Sequence, residues 1–234
     1  MNTDFKSLRK LSNAILVIAC IFVILYAIGI YFDVKLLNMI ESINKGVYVS
    51  EEQAASVDSI QATIGIIQLL CIILFMVSFF RWVYRANKNL YSLGKLNKNF
   101  SPGWAVGWFF VPIAGLYKPY QALKEIFIYS HPDNHNNYES KPDYKIIKIW
   151  WFLWIVQLIV SNTCTQMSIR SKAIAELLLF SKFQIVSDIT DIIVSLFTVI
   201  VVLKITDYQQ KKMDNIQIYS VQAAQNEENI DYQN

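Results

Sequence analysis

Four stretches of the chain carry little or no charge over a length that suits a bilayer. A helix needs roughly 20 apolar residues to cross a hydrocarbon core about 30 Å thick. Residues 11–32 read LSNAILVIACIFVILYAIGIYF without a single charge. Residues 59–80, 146–166 and 183–204 repeat the pattern, the last two with more polar groups. The spacing predicts an all-α, polytopic membrane protein with four transmembrane helices, preceded by a short segment, 1–10.

Between the windows the pattern continues. VKLLNMIESI, residues 34–43, carries apolar positions at helical spacing and predicts a surface helix. Ser50 followed three residues later by Gln53 is a capping-box pattern, so the second helix starts near Glu51. It outlasts its apolar window, because Trp82, Ala86, Leu90 and Leu93 recur at helical intervals and Gly94 suits a C-cap. One helix over about 51–93 would be on the order of 60 Å long. SKAIAELLLFSKF, residues 171–183, predicts a short surface helix feeding the fourth span. Residues 207–234 are rich in Gln, Asn, Asp and Glu, and predict a flexible tail.

The stretch 102–129 fits neither a soluble loop nor a spanning helix. It reads PGWAVGWFFVPIAGLYKPYQALKEIFIY, aromatic and uncharged as far as Tyr117, yet broken by Gly103, Gly107, Pro112 and Gly115. Pro112 lacks an N–H and disfavours helix at Val111. Irregular backbone is tolerated at membrane depth only when covered by protein or lining water. Residues 104–116 are therefore expected to be re-entrant or interfacial and buried against the spans. Pro119 suits the first position of a new helix. There Tyr120, Leu123, Ile126 and Phe127 share one face and Lys118, Gln121, Lys124 and Glu125 fill much of the rest, as in an amphipathic surface helix.

Charge sets an orientation. Three of the 21 basic residues precede the first window, ten run from Arg81 to Lys148 at the inner end of the third, and three from Lys204 to Lys212 at the end of the fourth and beyond it. Those sixteen face one side and the other five the opposite side, so both termini are expected in the cytoplasm. The net charge of +3 then reflects topology rather than nucleic-acid binding. The three cysteines, Cys20, Cys71 and Cys164, fall in or beside the windows without metal or redox spacing.

Two parts of the chain carry a resemblance. RWVYRANKNLYSLG presents W-x-x-R-A-x-x-N through Trp82, Arg85, Ala86 and Asn89. The following stretch presents Pro102, Trp104, Gly107, Trp108, Pro112, Leu116, Pro119, Tyr120 and Glu125 in a fixed register. Together they resemble a bacterial multi-pass membrane family, domain of unknown function 4328. The resemblance implies a helical membrane fold and makes these residues a candidate functional surface at the inner leaflet. It implies no activity.

Candidate chemistry is sparse. Asp188 and Asp191 lie three residues apart in the fourth window, hence on one helical face. Gln157, Asn162 and Thr163 on the third window, and Arg170 beyond it, are possible partners. Ionisable groups at this depth usually face a bundle interior or water. They form either an ion- or proton-linked site or a structural polar network. Arg85 is a candidate anchor for the central segment, through Glu125 or through carbonyls freed by Pro112; ordinary headgroup contact is the alternative. His131, Asp133 and His135 form H-x-D-x-H, a weak metal candidate in a polar loop that Pro132 keeps from being helical. No G-x-S-x-G, H-E-x-x-H or P-loop occurs. The expectation is a non-enzymatic subunit or scaffold of a bacterial inner membrane, without cofactor. It would meet the lipid bilayer and act through a homo-oligomer or larger complex, with no nucleic acid. The alternatives are a small oligomeric channel or transporter using the Asp188/Asp191 face, and a lipid-binding protein at the inner leaflet.

Overall fold

A computed structural model describes residues 5–95, 97–132, 142–171 and 173–231. The elements are α1 (Arg9–Asn44), α2 (Glu51–Asn89), α3 (Pro102–Gly107), α4 (Lys118–Ser130), α5 (Lys145–Arg170) and α6 (Ile174–Asp231). Single 3-10 turns lie at Trp108–Phe110 and Ala114–Leu116 between α3 and α4. The described residues include no strand. Four of the helices, α1, α2, α5 and α6, are long and apolar enough to cross a membrane. This is an all-α membrane protein.

Helix ends follow local chemistry. Ser50 Oγ accepts the Gln53 N–H at 3.3 Å while Gln53 Oε1 accepts the Ser50 N–H at 3.4 Å, a reciprocal capping box that starts α2. Gly46 (φ 82°) and Gly94 (φ 90°) occupy left-handed positions after α1 and α2. At each, the next N–H reaches back to a carbonyl five residues earlier, Val47 to Ser42 and Lys95 to Leu90. These are Schellman caps, and glycine takes that backbone without a Cβ penalty. The apolar spacing of 34–43 produces no separate surface helix, because it continues α1 to Asn44 without a break. Residues 174–183 likewise open α6 itself.

The chain forms two compact units. One comprises the segment up to Asn13, Phe79–Ile149 and the segment from Ile200 onward; the other comprises Ala14–Ser78 and Trp150–Val199.

In the first unit the core gathers Leu8, Trp82, Val83, Ala86, Leu90, Leu123, Ile126, Phe127 and Ile205. Two sequence expectations change here. The stretch 207–231 is helical rather than a flexible tail. Its hold is a stripe at helical spacing, Thr206, Gln209 and Met213, all buried, with Lys212 buried beside it. The stripe is mostly polar, so hydropathy gives no sign of it. Likewise Glu125 lies on the buried face of α4, at 5% exposure, not on the polar face. The Asn99 N–H donates to its Oε1 at 2.9 Å from a loop that no helical count reveals.

The central segment also departs from expectation. Its helices are short and its break falls where proline places it: Val111 is extended (φ −93°, ψ 118°). Yet residues 104–116 are not buried against the spans. Only Ala105 and Gly115 are buried, while Trp104, Phe110, Ile113 and Leu116 are exposed. The segment needs less cover than expected, because five of its N–H groups find acceptors within it. Val111 N–H donates to Trp108, Ala114 to Pro112, Gly115 to Val111, Leu116 to Ile113 and Tyr117 to Ala114. Ile113 pivots this chain of turns at φ 62°, ψ −59°, a strained γ-turn with an Ala114 N to Pro112 O distance of 2.6 Å.

In the second unit Phe22 stacks on Tyr26, with 4.2 Å between ring centroids, beside buried Cys71. Trp150 Nε1 donates to Thr198 Oγ1 at 2.9 Å. Buried indole N–H groups require such partners.

Candidate functional site

The second unit holds a polar cluster assembled from four helices. From α1 come Gly29 and Asp33, from α2 Gln61 and Gln68, from α5 Gln157 and Cys164, and from α6 Gln184, Asp188 and Asp191. Gln61 Nε2 donates to Asp33 Oδ1 at 2.9 Å. Gln184 Nε2 donates to Asp188 Oδ1 at 2.9 Å, one helical turn away. Cys164 Sγ–H donates to Gln184 Oε1 at 3.0 Å. Asp33 and Asp188 lie within hydrogen-bond reach of each other. A continuous polar path thus runs Cys164–Gln184–Asp188–Asp33–Gln61, touching every spanning helix.

A cavity of about 200 Å3 opens along this path. Gly29, Phe32, Asp33, Gln61, Gln68, Gln184 and Asp188 are among its lining residues, and no basic side chain is. Gly29 lets the cluster close up: a Cβ there would lie 2.8 Å from Gln68 Nε2 and 3.5 Å from Asp188 Oδ2. Gln68 Nε2 is buried without a hydrogen-bond partner among the described residues. Both carboxyls therefore line a cavity to which no basic side chain contributes.

Part of this was expected. Asp188, at 3% exposure, faces the cavity. Asp191 instead lies within hydrogen-bond reach of Gln157, whose Oε1 also accepts from Thr190 Oγ1. Asn162 and Arg170 are exposed, and Thr163 turns its hydroxyl to Ile159 O, so none of them joins the cluster. Asp33, Gln61, Gln68 and Gln184 went unnoticed. Asp33 reads as the end of the first window, and the glutamines read as tolerated polar residues. A signal exists: Gln61 and Gln68 are seven residues apart, two turns on one face.

The motif residues occupy the first unit. Trp82 Nε1 donates to Thr206 Oγ1 at 3.1 Å. Asn89 Nδ2 donates to Lys6 O and to Gln209 Oε1, both at 2.9 Å. Gln209 Nε2 in turn donates to Ala86 O at 2.9 Å and Ser130 Oγ at 3.0 Å. All four of Trp82, Asn89, Ser130 and Gln209 are buried. Arg85 and Tyr120 are half-buried, Pro119 is buried in the first turn of α4, and Pro102 opens α3 behind its Ser101 cap. Gly107 leaves room for the Trp104 ring, whose Cε3 would sit 3.3 Å from a Cβ. Trp104 and Trp108 pack at 4.8 Å between centroids. The carbonyls of Trp108, Val111 and Pro112 each accept an N–H from within the segment.

Two lysines of this unit are also displaced from their ordinary chemistry. Lys98 Nζ donates to Asn87 O and Oδ1, each at 3.0 Å, and burial pushes its pKa down to about 8 against the opposing pull of Glu125. Lys212 Nζ donates to Tyr129 O at 2.8 Å in the last turn of α4, and burial lowers its pKa. His131 packs edge-on against Tyr208 at 4.8 Å. Asp133 and His135, the other members of the metal candidate, lie outside the described residues. Among the described residues, no group of three His, Cys, Asp or Glu is placed to hold a metal.

The model of the family described as Domain of unknown function (DUF4328) matches residues 45–207. The chain belongs to that family. No curated protein and no solved structure gives a significant match. Within the DUF4328 match lie α2, α3, α4 and α5 and most of the apolar part of α6, including Asp188 and Asp191. Asp33, on α1, lies outside the match. The cavity thus draws one carboxyl from inside the family segment and one from outside it.

Proposed function

We propose that this chain is a non-enzymatic, multi-pass protein of a bacterial cytoplasmic membrane whose four-helix polar cluster takes up a proton or a small cation. Both termini face the cytoplasm, as the sixteen-to-five division of basic residues favours. The observation that carries the reading is the Asp33–Asp188 pair in a cavity without a basic residue. A purely structural network would be expected to balance its charge internally, as buried ionic groups generally do. The test uses protein reconstituted in liposomes, with internal dyes for protons, sodium and potassium. The Asp33→Asn/Asp188→Asn double variant should lose a flux that the parent shows. Equal flux in parent, double variant and empty liposomes for all three ions would sink the reading.

A second reading, association with another protein, is favoured by a separate observation. Beyond Met213, α6 continues to Asp231 and exposes Ile218, Tyr219 and Val221, at 54%, 62% and 56%. Removing residues 214–234 should release a partner captured from native membranes by cross-linking. Retention of the same cross-linked species by the shortened chain would argue against it.

A further inference from the structure

We propose that residues 104–118 form a lipid-binding wedge, in which the exposed rings and aliphatic chains enter hydrocarbon and Lys118 takes the phosphate of an anionic lipid. The surface is apolar and outward. Trp104 is 55% exposed, Phe110 67%, and Ile113, at the tip, 81%. Five backbone N–H groups between Val111 and Tyr117 are bonded inside the segment, through the turns at Pro112 and Ala114. Lipid, which supplies no donors to a backbone, is therefore a compatible neighbour.

Position within the first unit argues for the same occupant. Phe110 packs on Phe80 with 5.2 Å between centroids, and Phe109 on Phe80 at 5.3 Å. Phe80 is the last residue of the second apolar window. The wedge thus lies level with the end of a spanning stretch, at the depth where tryptophan and tyrosine prefer to sit.

Charge complementarity selects the headgroup. From residue 99 to residue 124 the only charged side chains are Lys118 and Lys124. The next acid, Glu125, is buried and turned to Asn99. Lys118 Nζ lies 5.5 Å from the Tyr117 ring centroid and 5.8 Å from those of Phe100 and Trp108. An ammonium framed by aromatic faces at the rim of an apolar surface suits a phosphate that arrives with its acyl chains beside the rings. A protein groove of matching chemistry would need acidic groups at this rim and apolar ones below it.

The experiment places a spin label at Ile113→Cys in a Cys20→Ala background, which leaves Cys71 and Cys164 buried. The protein sits in nanodiscs of phosphatidylcholine with or without phosphatidylglycerol. The label should collide with oxygen and be shielded from a water-soluble nickel complex, while a control label at Asn97→Cys shows the reverse. A fluorophore at position 113 should be quenched preferentially by brominated phosphatidylglycerol over brominated phosphatidylcholine. Lys118→Gln should reduce that preference about fivefold and Lys118→Arg should keep it. A label that meets the nickel complex as freely as the Asn97→Cys control overturns the proposal. A label shielded from both reagents also overturns it, and points to a protein on this face. An unchanged headgroup preference in Lys118→Gln, with thermal stability like that of the parent, overturns the role of Lys118.

Discussion

Replacing Gln209 should unlock the first unit, and the size of the effect can be worked from its bonds. Its Nε2 donates to Ala86 O at 2.9 Å and Ser130 Oγ at 3.0 Å, and its Oε1 accepts from Asn89 Nδ2 at 2.9 Å. The residue is 1% exposed. At this point α2 is tightening into its cap, and the Leu90 N–H has turned to Asn87 O at 3.2 Å. Gln209 therefore supplies the donor that Ala86 O receives. Net values near 1 kcal/mol per hydrogen bond give a loss of about 3 kcal/mol on removing all three. For a protein of this size that is roughly 6–12 °C in Tm.

Two variants separate packing from bonding. Gln209→Ala removes both, and Gln209→Met keeps most of the volume while making none of the three bonds. Both should unfold earlier by tryptophan scanning fluorimetry in detergent, the methionine variant retaining most of the loss. Hydrogen exchange should rise over residues 86–93, where α2 depends on this side chain. If Gln209→Met melts within about 1 °C of the parent, smaller than the shift expected from even one such bond, the polar network does not hold the unit together and the reasoning fails.

Other consequences follow from single positions. A Cβ at Gly115 would lie 3.1 Å from Trp108 O and 3.5 Å from Phe109 O, both backbone atoms that cannot step aside cheaply. Gly115→Ala should cost about 1–3 kcal/mol in thermal unfolding, while Gly103→Ala, with nothing within 4 Å of its Cβ, should be close to neutral. Lys98 binds its proton less tightly in the folded chain, about 8 against 10.5. Between those two pH values the unfolded chain holds more protons, so this group makes stability rise with pH. The Tm of the parent relative to Lys98→Gln should climb from pH 8 to 10.5, and a falling difference would show the sign to be wrong.

Much of the fold was legible where local chemistry decides it. The apolar windows set the spanning helices, Ser50 and Gln53 closed their capping box, Gly94 took its left-handed cap, and Pro112 forced Val111 into an extended backbone. The failures lie where a distant contact decides. Helical spacing put Glu125 with the polar residues of α4, but the Asn99 N–H draws it inward. Composition made 207–231 a tail, but Gln209 and Lys212 find carbonyls on α2 and α4 and are buried as part of the helix. Burial of 104–116 follows from a need to shield its backbone, and the segment's own turns meet much of that need. At the polar cluster Asp188 was visible as a carboxylate inside an apolar window. Its partner was not, because Asp33 has to be carried there by α1 continuing past the end of its own window.

The most recognisable residues of the family segment are therefore not the ones with free chemistry. Trp82, Ala86 and Asn89 have no exposed surface and are occupied by Thr206, Gln209 and Lys6. Such residues specify how α2, α4 and α6 lock together, and their replacement would damage the fold before it revealed any activity. The groups still able to act lie elsewhere: the Asp33–Asp188 carboxyls beside a cavity, and the rings of 104–117 around Lys118. A mutational search guided by the motif alone would mostly score stability. Charge-neutralising changes at Asp33 and Asp188, and Lys118→Gln on the surface, leave the Trp82–Asn89–Gln209 network intact, and for that reason they are the changes that can distinguish function from folding.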